Sequence, residues 1–180
     1  MTTSAYRLIL HPHDPHALPD REALLATLRT SGFLGEPWSG GEGRFLVGER
    51  FFHHVTFLGC SPHVEVEPPA DGGRGFTHIE LSPPLATPRL FSGEVGSPPR
   101  CRRCRHSLEV VPGEALLVTC PGCGASLGLE AIDWRHAAGG GRLLLSIWGI
   151  HPHEAVPSDL LLGLVDRGQG GGWDYFYSRL

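Results

Sequence analysis

The sequence has no lysine: all fifteen of its cationic side chains are arginine. With a formal net charge of −4 it also lacks the cationic excess on which sequence-independent nucleic-acid binding depends, which argues against that as the main activity of the whole chain. No apolar run approaches the ~20 residues that cross a bilayer, and no basic start followed by an apolar stretch marks residues 1–10 as a secretory signal. A soluble, cytoplasmic protein with reduced thiols and no membrane partner is therefore expected. There is no Walker-type phosphate loop and no nucleophile elbow, and the triple-glycine stretches lack the strand-to-helix setting that phosphate binding needs. Glycine (25) and proline (16) are abundant, which with the arginine-only cations reads as drift in a GC-rich bacterial genome. At 180 residues the chain accommodates one well-buried domain, with room for a small insertion.

Four of the five cysteines fall into two Cys-x-x-Cys pairs, Cys101 with Cys104 and Cys120 with Cys123, fifteen residues apart. Each tight turn presents two sulfurs, and four complete a tetrahedron around one ion. Disulfides suit a secreted chain, and a redox pair explains one Cys-x-x-Cys but not two at this separation. Pro121, Gly122 and Gly124 supply the turn geometry. Between the pairs, residues 108–111, a Pro112-Gly113 turn and residues 116–119 describe a small hairpin. Residues 98–128 resemble the zinc-ribbon family, including its Cys-Pro-x-Cys-Gly form at residues 120–124. The cofactor expected is zinc, in a closed site that serves folding and not catalysis. Arg102 and Arg103 lie within the first pair, and Arg100 and Arg105 flank it. They either balance a cluster whose net charge is about minus two, or form a contact surface for a partner's phosphate or acidic groups.

Read in order, residues 6–10 form a first strand that Pro12 ends. Pro19-Asp20 caps a helix carrying Leu24, Leu25 and Leu28, which stops at Ser31-Gly32. Residues 44–59 suit one or two strands turning at Gly48-Glu49, and residues 76–81 another. Prolines 83, 84, 88, 98 and 99 make an extended connection, the best boundary in the chain. Residues 129–135 and 142–150 read as strands joined by a turn at Gly139-Gly140-Gly141. Ser158 caps a second helix with Leu160, Leu161, Leu164 and Val165, and residues 173–177 form a last, docked strand. Cys60 and His63 form a Cys-x-x-His pair without partners, with Cys60 a small buried residue.

The two ends of the chain echo one another. His11-Pro12-His13-Asp14 and His151-Pro152-His153-Glu154 each follow a strand and lead through a cap into a leucine-rich helix. The fold class expected is α+β, with two β-α-β halves forming one sheet covered by two helices. Residues 1–97 and 129–180 make that domain, and residues 98–128 are a zinc ribbon inserted in it. In extended chain His11 and His13, or His151 and His153, point to one side and could share an ion with Asp14 or Glu154, a second metal or functional site. The first copy is similar to the His-x-His-x-Asp-His motif of metallo-β-lactamase-fold hydrolases, but its acid comes one place early. The simpler reading is structural, with proline stiffening the turn and the acid bonding loop backbone. The function expected is a non-enzymatic, zinc-binding adaptor whose ribbon contacts another protein. The alternatives are a nucleic-acid binder acting through the ribbon arginines and a metal-dependent hydrolase built on the His-Pro-His-acid turns.

Overall fold

A computed structural model describes residues 6–39, 41–59, 64–93, 97–111, 113, 117–167 and 171–179. In chain order the elements are β1 (Tyr6–Pro12), α1 (Arg21–Thr30), β2 (Leu34–Pro37), β3 (Arg44–Val47), α2 (Phe51–His54), β4 (Val55–Phe57), β5 (Ile79–Leu81) and β6 (Arg89–Ser92). Then come β7 (Arg100–Cys101), β8 (Leu117–Thr119), β9 (Ser126–Gly128), a 3-10 turn (Leu129–Ala131), β10 (Ile132–Asp133), β11 (Ala138–Gly141), β12 (Leu145–Trp148), β13 (Ala155–Pro157), α3 (Asp159–Val165) and β14 (Trp173–Arg179). The architecture is α+β, centred on a six-stranded sheet in the order β14-β1-β12-β5-β3-β2 with every pairing antiparallel. No helix among the described residues is long and apolar enough to cross a membrane.

The sheet is organised around β1, which is buried on both faces. Leu8 and Leu10 join the main core, while Ile9 packs with Leu144 and Phe176 in a second cluster. That is why this strand reads as an unbroken apolar run instead of an alternation. Leu24, Leu25 and Leu28 of α1, and Leu161, Leu164 and Val165 of α3, enter the same core as Leu8 and Leu10, so both helices lie on one face. Asp20 accepts a hydrogen bond from the Ala23 amide at 3.0 Å and Ser158 from that of Leu161 at 3.2 Å. Each cap contributes about 1 kcal/mol. From β1 the chain passes through α1, and after β2 to β4 reaches β5, which runs parallel to β1 with β12 between them. From β12 it passes through α3 to β14, parallel to β12 with β1 between them.

Four local expectations are corrected. β1 runs on through His11 and Pro12, opposite Asp174 and Trp173 of β14. The His13 amide bonds Gly172, so amides alternate along the strand and the missing N–H of Pro12 faces the other way, past the last β1–β12 pair at Leu10 and Leu145. Residues 51–54 form a helical turn and not a strand: Phe51 and His54, three apart, are buried while Phe52 and His53 are exposed. Gly139, Gly140 and Gly141 are not a turn. They belong to the fully buried strand β11, which pairs with β6 inside the stretch expected to be a plain connection. Residues 129–135 break into a 3-10 turn and the two-residue β10, which pairs with β7 beside the cysteines. Cys60 and His63, like Pro112 and Leu116, lie outside the described residues.

Candidate metal centre

The two Cys-x-x-Cys turns are built alike. In the first, the Arg105 amide donates to the Cys101 carbonyl at 2.8 Å and the Cys101 amide to that of His106 at 2.9 Å. In the second, Gly124 donates to Cys120 at 2.8 Å and Cys120 to Ala125 at 2.9 Å. The flanking residues also match, since Arg100 bridges Ser107 as Thr119 pairs with Ser126. Each knuckle is thus the tip of its own small hairpin. This corrects the hairpin expected from the sequence: residues 117–119 pair with residues 126–128, not with residues 108–111. The knuckle itself reverses the chain, and Leu108 instead fills a small core with Leu127, Leu129 and Ile132. That core continues past residue 128, taking in Trp134, whose indole N–H donates to the Leu129 carbonyl at 3.2 Å.

The fifth residue of each knuckle is left-handed, with φ of 65° at Arg105 and 69° at Gly124. A side chain there costs roughly 1–2 kcal/mol that glycine avoids. Arg105 regains little of this from its half-exposed ion pair with Asp133, at 3.6 Å. Arg105→Gly is therefore expected to stabilise the module by about 1 kcal/mol, slowing hydrogen exchange at the Cys101 amide roughly fivefold. Faster exchange would mean that the ion pair outweighs the strain.

The four sulfurs converge. Cys104 and Cys120 are 3.5 Å apart, Cys101 and Cys123 are 4.0 Å apart, and all four sulfurs lie within 4.8 Å of one another. A tetrahedral ion with Zn–S bonds of about 2.3 Å sets its ligands about 3.8 Å apart, inside the observed spread. Among the described residues no other set of three or more His, Cys, Asp or Glu side chains converges this closely. All four thiols are free; Cys101 and Cys120 are buried and Cys104 and Cys123 exposed. Loss of hydration, the largest single effect at Cys120, opposes its ionisation. The amides of Cys123 and Gly122 and the neighbouring thiols outweigh it and bring Cys120 down to about 7. At Cys104 the His106 amide favours the thiolate most strongly, yet lost hydration and hydrogen bonds to the other thiols push it up to about 12. Backbone amides aimed at sulfur favour the form that ligates a metal. Around this quartet Arg102, Arg103 and Arg105 are exposed, with the Arg102 Nε donating to the Ile132 carbonyl at 3.2 Å. Arg100 is half-buried, and among the described residues its Nε has no hydrogen-bond partner.

In both His-Pro-His-acid turns the acid bonds loop backbone. Asp14 accepts from the His16 amide and Glu154 from the His151 amide, each at 2.9 Å. The turns stand at opposite ends of the β1–β12 pair: His11 sits opposite Asp174, whereas the Gly149 amide, just before His151, bonds the carbonyl of Tyr6. Five strand steps, roughly 16 Å, separate these ends, so the two turns do not meet. His11 is buried and its pKa is pushed down by burial. His13 is exposed; His151 lies 4.6 Å from the Tyr6 ring and His153 5.5 Å from that of Tyr177. Sequence reasoning missed Glu130, Trp134 and Asp174, which border one cleft with His11, His13 and Asp14. No local pattern could have found them, because they come from separate stretches of chain. Asp174 is held by His136, Oδ1 to Nδ1 at 3.2 Å, and that contact is the main cause of a raised His136 pKa.

No protein-family model matches this chain, and neither a curated protein nor a solved structure is significantly similar to it.

Proposed function

We propose that the chain is a non-enzymatic zinc protein in which Cys101, Cys104, Cys120 and Cys123 hold one zinc ion and shape a docking module for another protein. In this reading residues 1–97 and 129–180 form one body, residues 98–128 are a ribbon inserted in it, and Ile132 and Trp134 are lent to the ribbon's core. The observation that carries the reading is the convergence of four thiols within 4.8 Å. Four thiolates fill a tetrahedral sphere, so the ion keeps no position for water or substrate and its binding energy goes into folding. Docking is supported by what the module exposes, namely Val111 (77 %), Leu117 (64 %) and the arginines beside the first knuckle. Arginine is enriched at protein-protein interfaces, and the centre of such an interface is apolar.

Elemental analysis of protein purified under reducing conditions tests the metal, with one zinc per chain expected. No metal, or iron in its place, overturns the reading. Proteins that copurify with the intact chain and are lost with Cys123→Ser support docking, while equal recovery of the same partner removes it. The exposed Arg102 and Arg103 favour a second reading, nucleic-acid binding. Salt-sensitive binding of an oligonucleotide, abolished by Arg102→Ala with Arg103→Ala, would put that reading first. A second metal equivalent, lost on His11→Ala with His151→Ala, would support the hydrolase reading instead.

A further inference from the structure

A cleft of about 310 Å³ lies where the cysteine module meets the end of the main sheet. On the module side it is bordered by Arg102, Glu130 and Trp134, and on the sheet side by His13, Asp14 and Asp174. Its polar groups are mostly acceptors. Three carboxylates face one guanidinium, and the Nε of that guanidinium is already used on Ile132. Asp14 uses Oδ1 on the His16 amide, and Asp174 uses Oδ1 on His136 and on the Tyr175 amide. Among the described residues the second oxygen of each carries no protein donor. Trp134 spends its N–H on Leu129 and so offers the cleft an apolar ring. His11, which also borders the cleft, is 3 % exposed; its Nδ1 lies 3.0 Å from the Pro12 carbonyl. Its Nε2 is sealed against Gly139 and Gly140 of β11, so this imidazole offers the cleft no free donor or acceptor.

An acceptor-rich, donor-poor cleft with excess negative charge and an aromatic wall suits a ligand that brings N–H donors and positive charge. A bare metal ion fits poorly, because no three of these groups bring ligand atoms within 4.8 Å of one another. An anion would meet the carboxylates. The cleft holds roughly ten water volumes of ~30 Å³, which limits the ligand to roughly ten to fifteen non-hydrogen atoms. The geometry points to a binding site for a small organic cation, an ammonium or guanidinium compound, held between the first knuckle and the sheet edge where β1 ends and β14 begins. The site stands independently of any partner of the module.

Agmatine, which carries both groups, is a suitable probe, with glutarate as an anionic control at the same ionic strength, in calorimetric titration of the full chain. Saturable one-site binding of agmatine is expected. It should weaken at least tenfold in Asp14→Asn with Glu130→Gln, where the carboxamide oxygen introduced at position 14 can still accept from the His16 amide. Gly171→Leu should weaken it similarly, since Gly171 borders the cleft and an added Cβ there meets nothing within 4 Å. Glu22→Gln, on an exposed side chain of α1, should bind agmatine as the parent does. Failure to saturate by about 10 mM, binding of glutarate in place of agmatine, or full affinity in both cleft variants would overturn the proposal.

Discussion

Cys123→Ser is expected to lose its metal and to unfold the cysteine module while the six-stranded sheet stands. Structural zinc sites of this kind contribute on the order of 10–16 kcal/mol of binding free energy, and a module that forms with its metal loses that on losing a ligand. The module's own core is six buried residues, two of them cysteines, which is too few to offset the entropy of ordering the knuckles without the ion. Cys123 is the informative position because its side chain is exposed, so exchanging sulfur for oxygen disturbs no packing. Cys101→Ser should also release metal, but there a fully buried group is altered at the same time. Two measurements check the outcome: zinc per chain, expected to fall from one to none, and hydrogen exchange, expected to become fast in β8 and β9 and to stay slow in β1. Retained protection in β8 and β9 would show that the module is held by its apolar side chains and not by an ion.

The second large effect is expected far from the cysteines, in β11. At Gly139 an added Cβ would strike the imidazole Nε2 of His11 and the Phe176 ring at 2.6 Å, and both side chains are buried. At Gly140 it would strike the Arg89 carbonyl and come within 3.0 Å of the Leu90 Cα, neither of which can shift without opening the β6–β11 ladder. Overpacking of a filled core costs typically 1–3 kcal/mol, and these sites belong at the upper end, at about 3 kcal/mol for Gly139→Ala or Gly140→Ala. At roughly 2–4 °C per kcal/mol for a chain of this size, the melting temperature should fall by roughly 6–12 °C. Gly141 is the internal control: its nearest neighbour would lie at 3.6 Å, in ordinary contact, so Gly141→Ala should change stability by no more than about 0.5 kcal/mol. Equal melting temperatures for all three variants would contradict the close packing of β11.

These same residues show which parts of the fold a sequence discloses. The helices were legible because their signals are local: a cap at Asp20 or Ser158 and leucines spaced for one face specify a start and a buried side without reference to anything distant. The knuckles were legible for a related reason, since Cys-x-x-Cys carries both ligands and turn in four residues. The glycines of β11 were not. Three in a row look like a turn until His11, Phe176 and the β6 backbone are packed against them, and those neighbours are more than thirty residues away. The strand partners of the knuckles were misread because a Pro-Gly pair advertises a hairpin more loudly than a cysteine loop does, although the loop makes the tighter reversal. The cleft was illegible in principle, as its carboxylates come from three separate stretches of chain. The histidines of the two His-Pro-His-acid turns drew attention as ligands, yet what both copies share is the acid, which bonds a backbone amide in each.

The position of β1 as an interior strand, paired on both edges, has a consequence for the chain as it emerges from a ribosome. Its two neighbours, β12 and β14, are made in the last fifth of the sequence. Residues 8–10 therefore wait for roughly 130 further residues, roughly 7–26 seconds of translation, before either edge can be paired. Through that interval an apolar nascent strand is open to pairing with the wrong edge.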